Sequence, residues 1–344
     1  MVRTADITNR VKSPNKIHQE FVMPAVLDCS YSTISTQHVL SRVLPQYLID
    51  EPIECVLWER GANDTYLVRC ANAQYFLRIY RCGAFTREAN EFEAQVLIFL
   101  HQNGISVASP VARREGGYIS DIAAPEGLRF ALLTHEAEGD VPDYDSLDNC
   151  RLVGESVARM HLLSEGFETP LVRMRLDLQG LLDTPLIHVR DYLHQHEKEL
   201  KYIEAAAQQA RSAIQAAPEA ELKSGICHGD LHGGNLHLSN GTVTHFDFEE
   251  CAFGYSIYDM ATFRWGACFG KAREARWPAF LEGYESVRTL TDTEHSLINM
   301  FVITRELSEL AYGIRHVQFF GSNDIMASDL DHVCERIKVY TDNA

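Results

Sequence analysis

Apolar residues along this chain follow two spacings, alternation in the first third and steps of three and four residues after it. Val39 to Leu48 carries a short helical pattern, interrupted in its middle by Pro45, which cannot donate a helical hydrogen bond. Cys55 to Trp58, Thr65 to Arg69 and Tyr75 to Tyr80 are rich in aromatic and β-branched residues and are predicted to be strands. Turns at Gly61 to Asp64 and Ala71 to Gln74 join them into a meander. Arg87 to Gln102 is predicted to be a helix, because Ala89, Phe92, Val96, Phe99 and Leu100 keep helical spacing until Gly104 stops it. Two further strands are expected at Gly117 to Ser120 and Leu128 to Thr134. Gly139 and Pro142 break the pattern between Glu136 and Tyr144, as a hinge would. Beyond it, helices are expected at Ser146 to Leu163, His196 to Ala216, Thr293 to Val317 and Ile325 to Tyr340. The reading is therefore α+β, with a weakly patterned lead-in at residues 1–33, a sheet-based lobe at 34–136 and a larger, mainly helical lobe at 137–344.

Composition narrows the class. With 46% hydrophobic and 23% charged residues in 344, the chain can bury a sizeable core. No apolar run approaches the roughly 20 residues of a membrane span. The polar stretch from Met1 to Gln19 lacks a secretory h-region. Nine scattered cysteines form no C-x-x-C pair, so a reduced cytoplasmic setting is expected. A formal charge of −17 argues against a nucleic-acid partner, which needs a basic footprint. That acidic excess either favours a cationic small-molecule acceptor or serves solubility.

The chemistry concentrates in His228-Gly229-Asp230-Leu231-His232-Gly233-Gly234-Asn235 and in Asp247, twelve positions further on. Phosphoryl transfer needs a base that orients the attacking hydroxyl and oxygen ligands for a metal bridging the phosphates. Asp230 suits the first role; Asn235 and Asp247 suit the second. Between them, Leu236 to Leu238 and Val243 to Phe246 flank Asn240-Gly241, a strong hairpin signal. Such a ribbon sets Asn235 and Asp247 at its adjacent open ends. His228 and His232 flank a tight turn and are expected to shape it by hydrogen bonds.

On these residues the chain resembles the aminoglycoside phosphotransferase and choline kinase family, including its homoserine-kinase-like and stress-response-kinase-like branches, over about residues 50–320. The resemblance implies a protein-kinase-like bilobal fold, with Asp230 as catalytic base, Asn235 and Asp247 as magnesium ligands, and ATP as phosphoryl donor. By the same carry-over Glu249 would assist a second metal. The cation expected on the α- and β-phosphates is Arg78, where the family usually has lysine; a guanidinium keeps the charge but is bulkier and shaped differently. Glu93 is its expected helix partner, with Glu88 and Glu91 as solvated alternatives. Phe76 shares a strand face with Arg78 and Tyr80, and either stacks on adenine or packs in the core. The turn containing Gly61 and Asn63 would lie over the phosphates and donate backbone N–H groups. Adenine would meet the backbone at His135 to Ala137. Asp259, beyond Gly254, is expected to cap the next helix or brace the loop.

The leading reading is an ATP- and magnesium-dependent kinase of a small hydroxylated molecule. The competing readings are a protein serine/threonine kinase of the stress-response type, a nucleotide-binding regulator without catalysis, and a zinc hydrolase using His228, Asp230, His232, His237 and His245. For the acceptor, Asp177, Asp183, Glu306 and Glu309, with Arg305 beside the last two, are candidates to hold an amine of an amino alcohol or aminosugar.

Overall fold

The computed structural model describes residues 28–268, 270, 273–320 and 327–342; residues 1–27 of the expected lead-in lie outside them. The short helical turn α1 (Thr36–His38) continues through wider and tighter turns to Gln46, with Pro45 in the last of them, and Tyr47 is already extended. Strands β1 (Glu54–Arg60), β2 (Asp64–Arg69), β3 (Gln74–Ile79), β4 (Ile119–Ala124) and β5 (Gly127–His135) form one antiparallel sheet in the order β1-β2-β3-β5-β4. The fourth strand lies further on than expected. Gly116 and Gly117 have φ of 92° and 71° and belong to the preceding turn. Asp121 lies within the strand, because β4 is an edge strand and alternation turns Asp121 outward.

Val39, Val43, Leu44 and Tyr47 cover one face of this sheet, against Leu77, Ile79 and Leu133. Helix α2 (Arg87–Gln102), capped by the Thr86 hydroxyl on the Ala89 N–H, covers the other with Phe92, Val96, Leu97 and Leu100. That second cluster also takes in Met160, Ile226, Phe248 and Cys251, so one apolar core joins the sheet to the segments carrying the sequence motif.

The remaining chain is mainly helical: α3 (Leu147–Ser164), α4 (Thr184–Tyr192), α5 (Glu197–Ala216), α6 (Ser256–Ala267), α7 (Arg276–Glu285), α8 (Asp292–Phe320) and α9 (Ala327–Thr341). The start of the expected last helix, Ile325 and Met326, lies outside the described residues. Helices α4, α6 and α7 lie outside the helical spans assigned above from spacing. The first is short with Pro185 at its start, and α7 holds both Pro278 and Gly283. Helix α6 is buried from Ser256 to Phe263 on every side, so it lacks a polar stripe. At the α3–α7 crossing a Cβ on Gly154 would stand 2.0 Å from the Phe280 carbonyl oxygen, so the two backbones touch directly.

Two ribbons complete the fold: β6 (Ser224–Cys227) with β9 (Ala252–Tyr255), and the hairpin β7 (Leu236–Ser239) with β8 (Thr242–His245). Asn240 and Gly241 turn the hairpin with φ of 50° and 78°, as their sequence demands. Among the described residues no helix is long and apolar enough to cross a membrane.

One buried arginine ties the sheet together. Arg129, on β5, is fully buried and donates to the carbonyls of Tyr80 (2.8 Å), Ile79 (3.0 Å) and Ser32 (2.6 Å), and to the buried Asp64 carboxylate at 3.0 Å. Removing one partner of a buried pair leaves the other charge uncompensated. Arg129→Ala is expected to cost about 3–5 kcal/mol of stability, and Arg159→Ala, at an exposed pair with Glu155, less than about 1 kcal/mol; urea denaturation of the two variants checks the contrast.

Candidate active site

Strand β6 delivers the chain to His228, and the loop that follows is shaped by one carboxylate. Asp259 is completely buried in the first turn of α6. It accepts the N–H of His228 at 2.6 Å and of Gly229 at 2.9 Å, and faces His161 Nε2 at 3.0 Å. Helix α6 begins three residues earlier, at Ser256, so Asp259 braces the loop and does not cap the helix. Burial pushes its pKa up, but hydrogen bonds from His161 and Gly229 and the nearby histidines outweigh this and hold it below the usual range. Gly229 is required by geometry: its φ is 86°, and a Cβ there would meet the Glu250 carbonyl oxygen at 2.2 Å.

The histidines of the region point to separate partners. His228 Nε2 lies 2.9 Å from the Phe246 carbonyl, while its Nδ1 accepts the Asp230 N–H at 3.3 Å; burial lowers its pKa and favours the neutral ring. His232 Nδ1 accepts the Gly234 N–H at 3.0 Å. His237 Nδ1 sits 2.7 Å from the Ala137 carbonyl, and His245 Nε2 sits 2.8 Å from the Ser156 hydroxyl. Burial drives the His245 pKa down to about 3. These four histidines do not converge on one point, as the ligands of a zinc site would.

Asp230, Asn235, Asp247, Arg78 and Glu93 come together. Asn235 Nδ2 donates to the Asp230 carbonyl at 2.9 Å and to Asp230 Oδ2 at 3.1 Å. Arg78 forks between the sheet and the loops: Nη1 lies 3.0 Å from Glu93 Oε1 and Nη2 lies 2.6 Å from Asp247 Oδ1. Glu93 is buried and receives the Tyr80 hydroxyl at 2.7 Å on its other oxygen, so it is the carboxylate α2 turns to the sheet. Asp247 holds a φ of 65°, uncommon for a residue with a side chain. Its buried Oδ1 has no aligned hydrogen bond, so the contact with Arg78 is one of charge. Asn235 uses its nitrogen inward, so its oxygen is the free end of the amide. A carboxylate oxygen without an aligned hydrogen bond on Asp247, and an amide oxygen left unused on Asn235, are the donor types of a hard divalent cation, which typically keeps one or two protein carboxylates and completes its shell with phosphate and water.

The cleft between these elements has a volume of about 730 Å³, with Gly61, Asn63, Arg78, Asp230 and Asp247 among its walls. Phe76, Glu93, His135, Ala137 and Asn235 do not line it. Phe76 is half-buried with its ring edge-on to Trp58 at 6.0 Å. The His135 ring leans on Tyr75 at 5.1 Å while the His135 backbone N–H donates to the Ser109 carbonyl, and the Ala137 carbonyl is engaged by His237. Asn63 closes its turn through its side chain: Nδ2 donates to Glu249, and Oδ1 accepts the Arg81 N–H at 3.0 Å. Glu249, deeply set and close to Asp247, has its pKa pushed up to about 8 by burial and then by Asp247.

The acids expected to hold an amine are already engaged. Asp177 accepts the N–H groups of Gln179 and Gly180, and Asp183 pairs with Arg211. Glu306 is taken by Trp265 and Arg336, and Glu309 by Arg305 at 2.8 Å. The contact that sequence reasoning missed is Arg305 Nη2 on Asp230 Oδ1, at 2.6 Å. Arg305 and Glu309 are visible in sequence as a helical i,i+4 pair, but nothing local links them to a loop 75 residues upstream.

The model of a phosphotransferase enzyme family matches residues 56–293. A protein of Synechocystis sp., itself described only as uncharacterised, is 32% identical over 91% of this chain and 86% of its own length. A homoserine kinase of Polaromonas naphthalenivorans is 28% identical over 69% of this chain and 73% of its own. Among solved structures, an amicoumacin kinase in complex with AMP-PNP and Ca2+ superposes with a TM-score of 0.73 at 19% identity, covering 90% of this chain and 94% of that one, which establishes a common fold. By the extent of the family match and of the Synechocystis relative, this chain belongs to the phosphotransferase enzyme family.

Proposed function

We propose that the protein transfers the γ-phosphate of ATP, with Mg2+, to a hydroxyl of a small molecule such as an amino alcohol, an aminosugar or a related metabolite. The observation that carries this reading is the meeting of Asp230, Asp247 and Arg78 on one cleft, with Asn235 and Glu93 holding them from behind. Residues 34–136 are the nucleotide-binding lobe and residues 137–344 the catalytic and acceptor-binding lobe.

Asp230 orients the acceptor hydroxyl and takes its proton as the new oxygen–phosphorus bond forms and the bond to the β-phosphate oxygen breaks, releasing ADP. Its carboxylate is fixed on both sides, by Asn235 and by Arg305, so little reorganisation is needed when the hydroxyl arrives. Asn235 and Asp247 would hold the magnesium ion, which would supply positive charge against that developing on the phosphate oxygens. Arg78, pinned by Glu93, places a permanent positive charge beside Asp247 where the phosphates lie, and its fork contacts two oxygens at once. The intact Arg78–Glu93 pair removes the motive for a regulator without catalysis.

A coupled ATP-consumption screen over amino alcohols, aminosugars and peptide hydroxyls tests the reading; peptide turnover without small-molecule turnover replaces it with a protein kinase. Asp230→Asn is expected to lower turnover by about three orders of magnitude while the ATP dissociation constant changes less than about threefold. A normal rate in that variant removes Asp230 as base. Asp247→Ala is expected to abolish the magnesium dependence of nucleotide binding in a calorimetric titration; an unmoved affinity rejects Asp247 as ligand.

A further inference from the structure

In a chain with a formal charge of −17, the acceptor side of the cleft is walled by guanidinium groups. Arg273, Arg276, Arg305, Arg315 and Arg336 line it, while the carboxylates lining the same side, beyond Asp230, are Glu250 and Glu309. Four of the arginines gather where the end of α6 meets α7, α8 and α9. There the Trp265 ring is approached by Arg305 at 5.0 Å and Arg336 at 4.7 Å. Arg276 is anchored beside them, donating to the Ala267 carbonyl at 2.9 Å and to the exposed Asp145 at 2.6 Å. Glu306 pairs with Arg336 from outside the lining, and Glu309 pairs with Arg305.

Two of these guanidinium groups, Arg305 and Arg273, keep donors in reserve. The Arg305 side chain is 9% exposed, yet its Nε is buried without a hydrogen-bond partner. Leaving such a donor unmet is costly in a purely structural role. Arg273 donates its backbone N–H to the Gly270 carbonyl at 2.9 Å, and its guanidinium makes no hydrogen bond or ion pair among the described residues. A guanidinium presents a planar fork that matches carboxylate and phosphate oxygens. A concave wall of one sign concentrates ligands of the opposite sign, whatever the net charge of the chain.

We propose that the phosphoryl acceptor is an anionic hydroxy compound, whose carboxylate or phosphate group is held by the arginines around Trp265 while its hydroxyl faces Asp230. This rests on the phosphotransfer reading and specifies its substrate. The magnesium-binding side of the cleft, with Asp247 and Glu249, takes the nucleotide phosphates, so the two anions have separate seats.

Matched acceptors that differ by the anionic group test this: homoserine against 3-aminopropan-1-ol, serine against ethanolamine, and glycerol 3-phosphate against glycerol, each at fixed Mg·ATP. The expected result is a preference of at least about tenfold in kcat/KM for the anionic member of a pair, the value of one charge-assisted contact. The first two pairs report on a carboxylate and the third on a phosphate. Arg273→Gln, which breaks no contact among the described residues, and Arg336→Lys, which keeps the charge but loses the fork, are expected to raise KM for the anionic member about tenfold and to leave KM for ATP unchanged. Equal or better turnover of the uncharged or amine members overturns the inference and leaves the phosphotransfer reading standing. A rise in KM for ATP instead assigns the arginines to the nucleotide and also overturns it. Calorimetric binding of the anionic members without nucleotide separates the two readings: binding that Arg273→Gln weakens, with no ATP consumption, keeps the anion seat but overturns its occupant's role as acceptor together with the phosphotransfer reading.

Discussion

The backbone N–H groups of His228 and Gly229 both point at the Asp259 carboxylate, and the whole loop through Asn235 is arranged around that contact. Each is a charge-assisted hydrogen bond in a site closed to water, with a typical contribution of about 1.5–3 kcal/mol. Asp259 is in turn held by His161, His161 by the Tyr284 hydroxyl, and Tyr284 by Arg288, which ends on Glu294. This buried file runs from α6 through α3 and α7 to the start of α8, so the loop is referred to the packing of the helical core. Buried polar networks rigidify when every member is satisfied, and this one is continuous. Asp230 is thereby aimed from below, and Arg305 and Asn235 finish the aim from the sides.

Arg78 makes the corresponding link from the sheet. The guanidinium reaches Glu93 on α2 and Asp247 beyond the hairpin with two separate nitrogens, a span that a single ammonium does not reproduce. Behind it, the cluster around Phe92 and Leu100 packs the sheet, α2 and the residues flanking Asp247 into one apolar core. The geometry of the cleft therefore depends on two polar anchors set in continuous packing, which resists small displacements.

On the acceptor side, net charge misleads. The acidic excess suggested a wall of carboxylates for an amine, but each carboxylate proposed for that task is paired elsewhere. Net charge describes solubility and long-range fields, whereas a pocket's character follows from the side chains that converge on it. Here arginines from α6–α7, α8 and α9 converge.

Much of this was legible in the residues. The strands of the sheet, α2, the long helices and the Asn240-Gly241 hairpin follow from local periodicity and turn chemistry, which act over a few residues. The motif His228 to Asn235 with Asp247, and the choice of Glu93 over Glu88 and Glu91, were likewise readable, because spacing and helical face carry them. Helix α6 was not legible in periodicity, since complete burial erases the amphipathic stripe, and was expected only through the resemblance around Asp259; the four-residue strands β6 and β9 are too short to show alternation. The grip of Asp259 on the loop, the clasp of Arg305 on Asp230 and the cationic wall join residues 31, 75 and more positions apart. Contacts at such separation are fixed by how helices stack, and no local pattern encodes stacking; only the tertiary structure decides them.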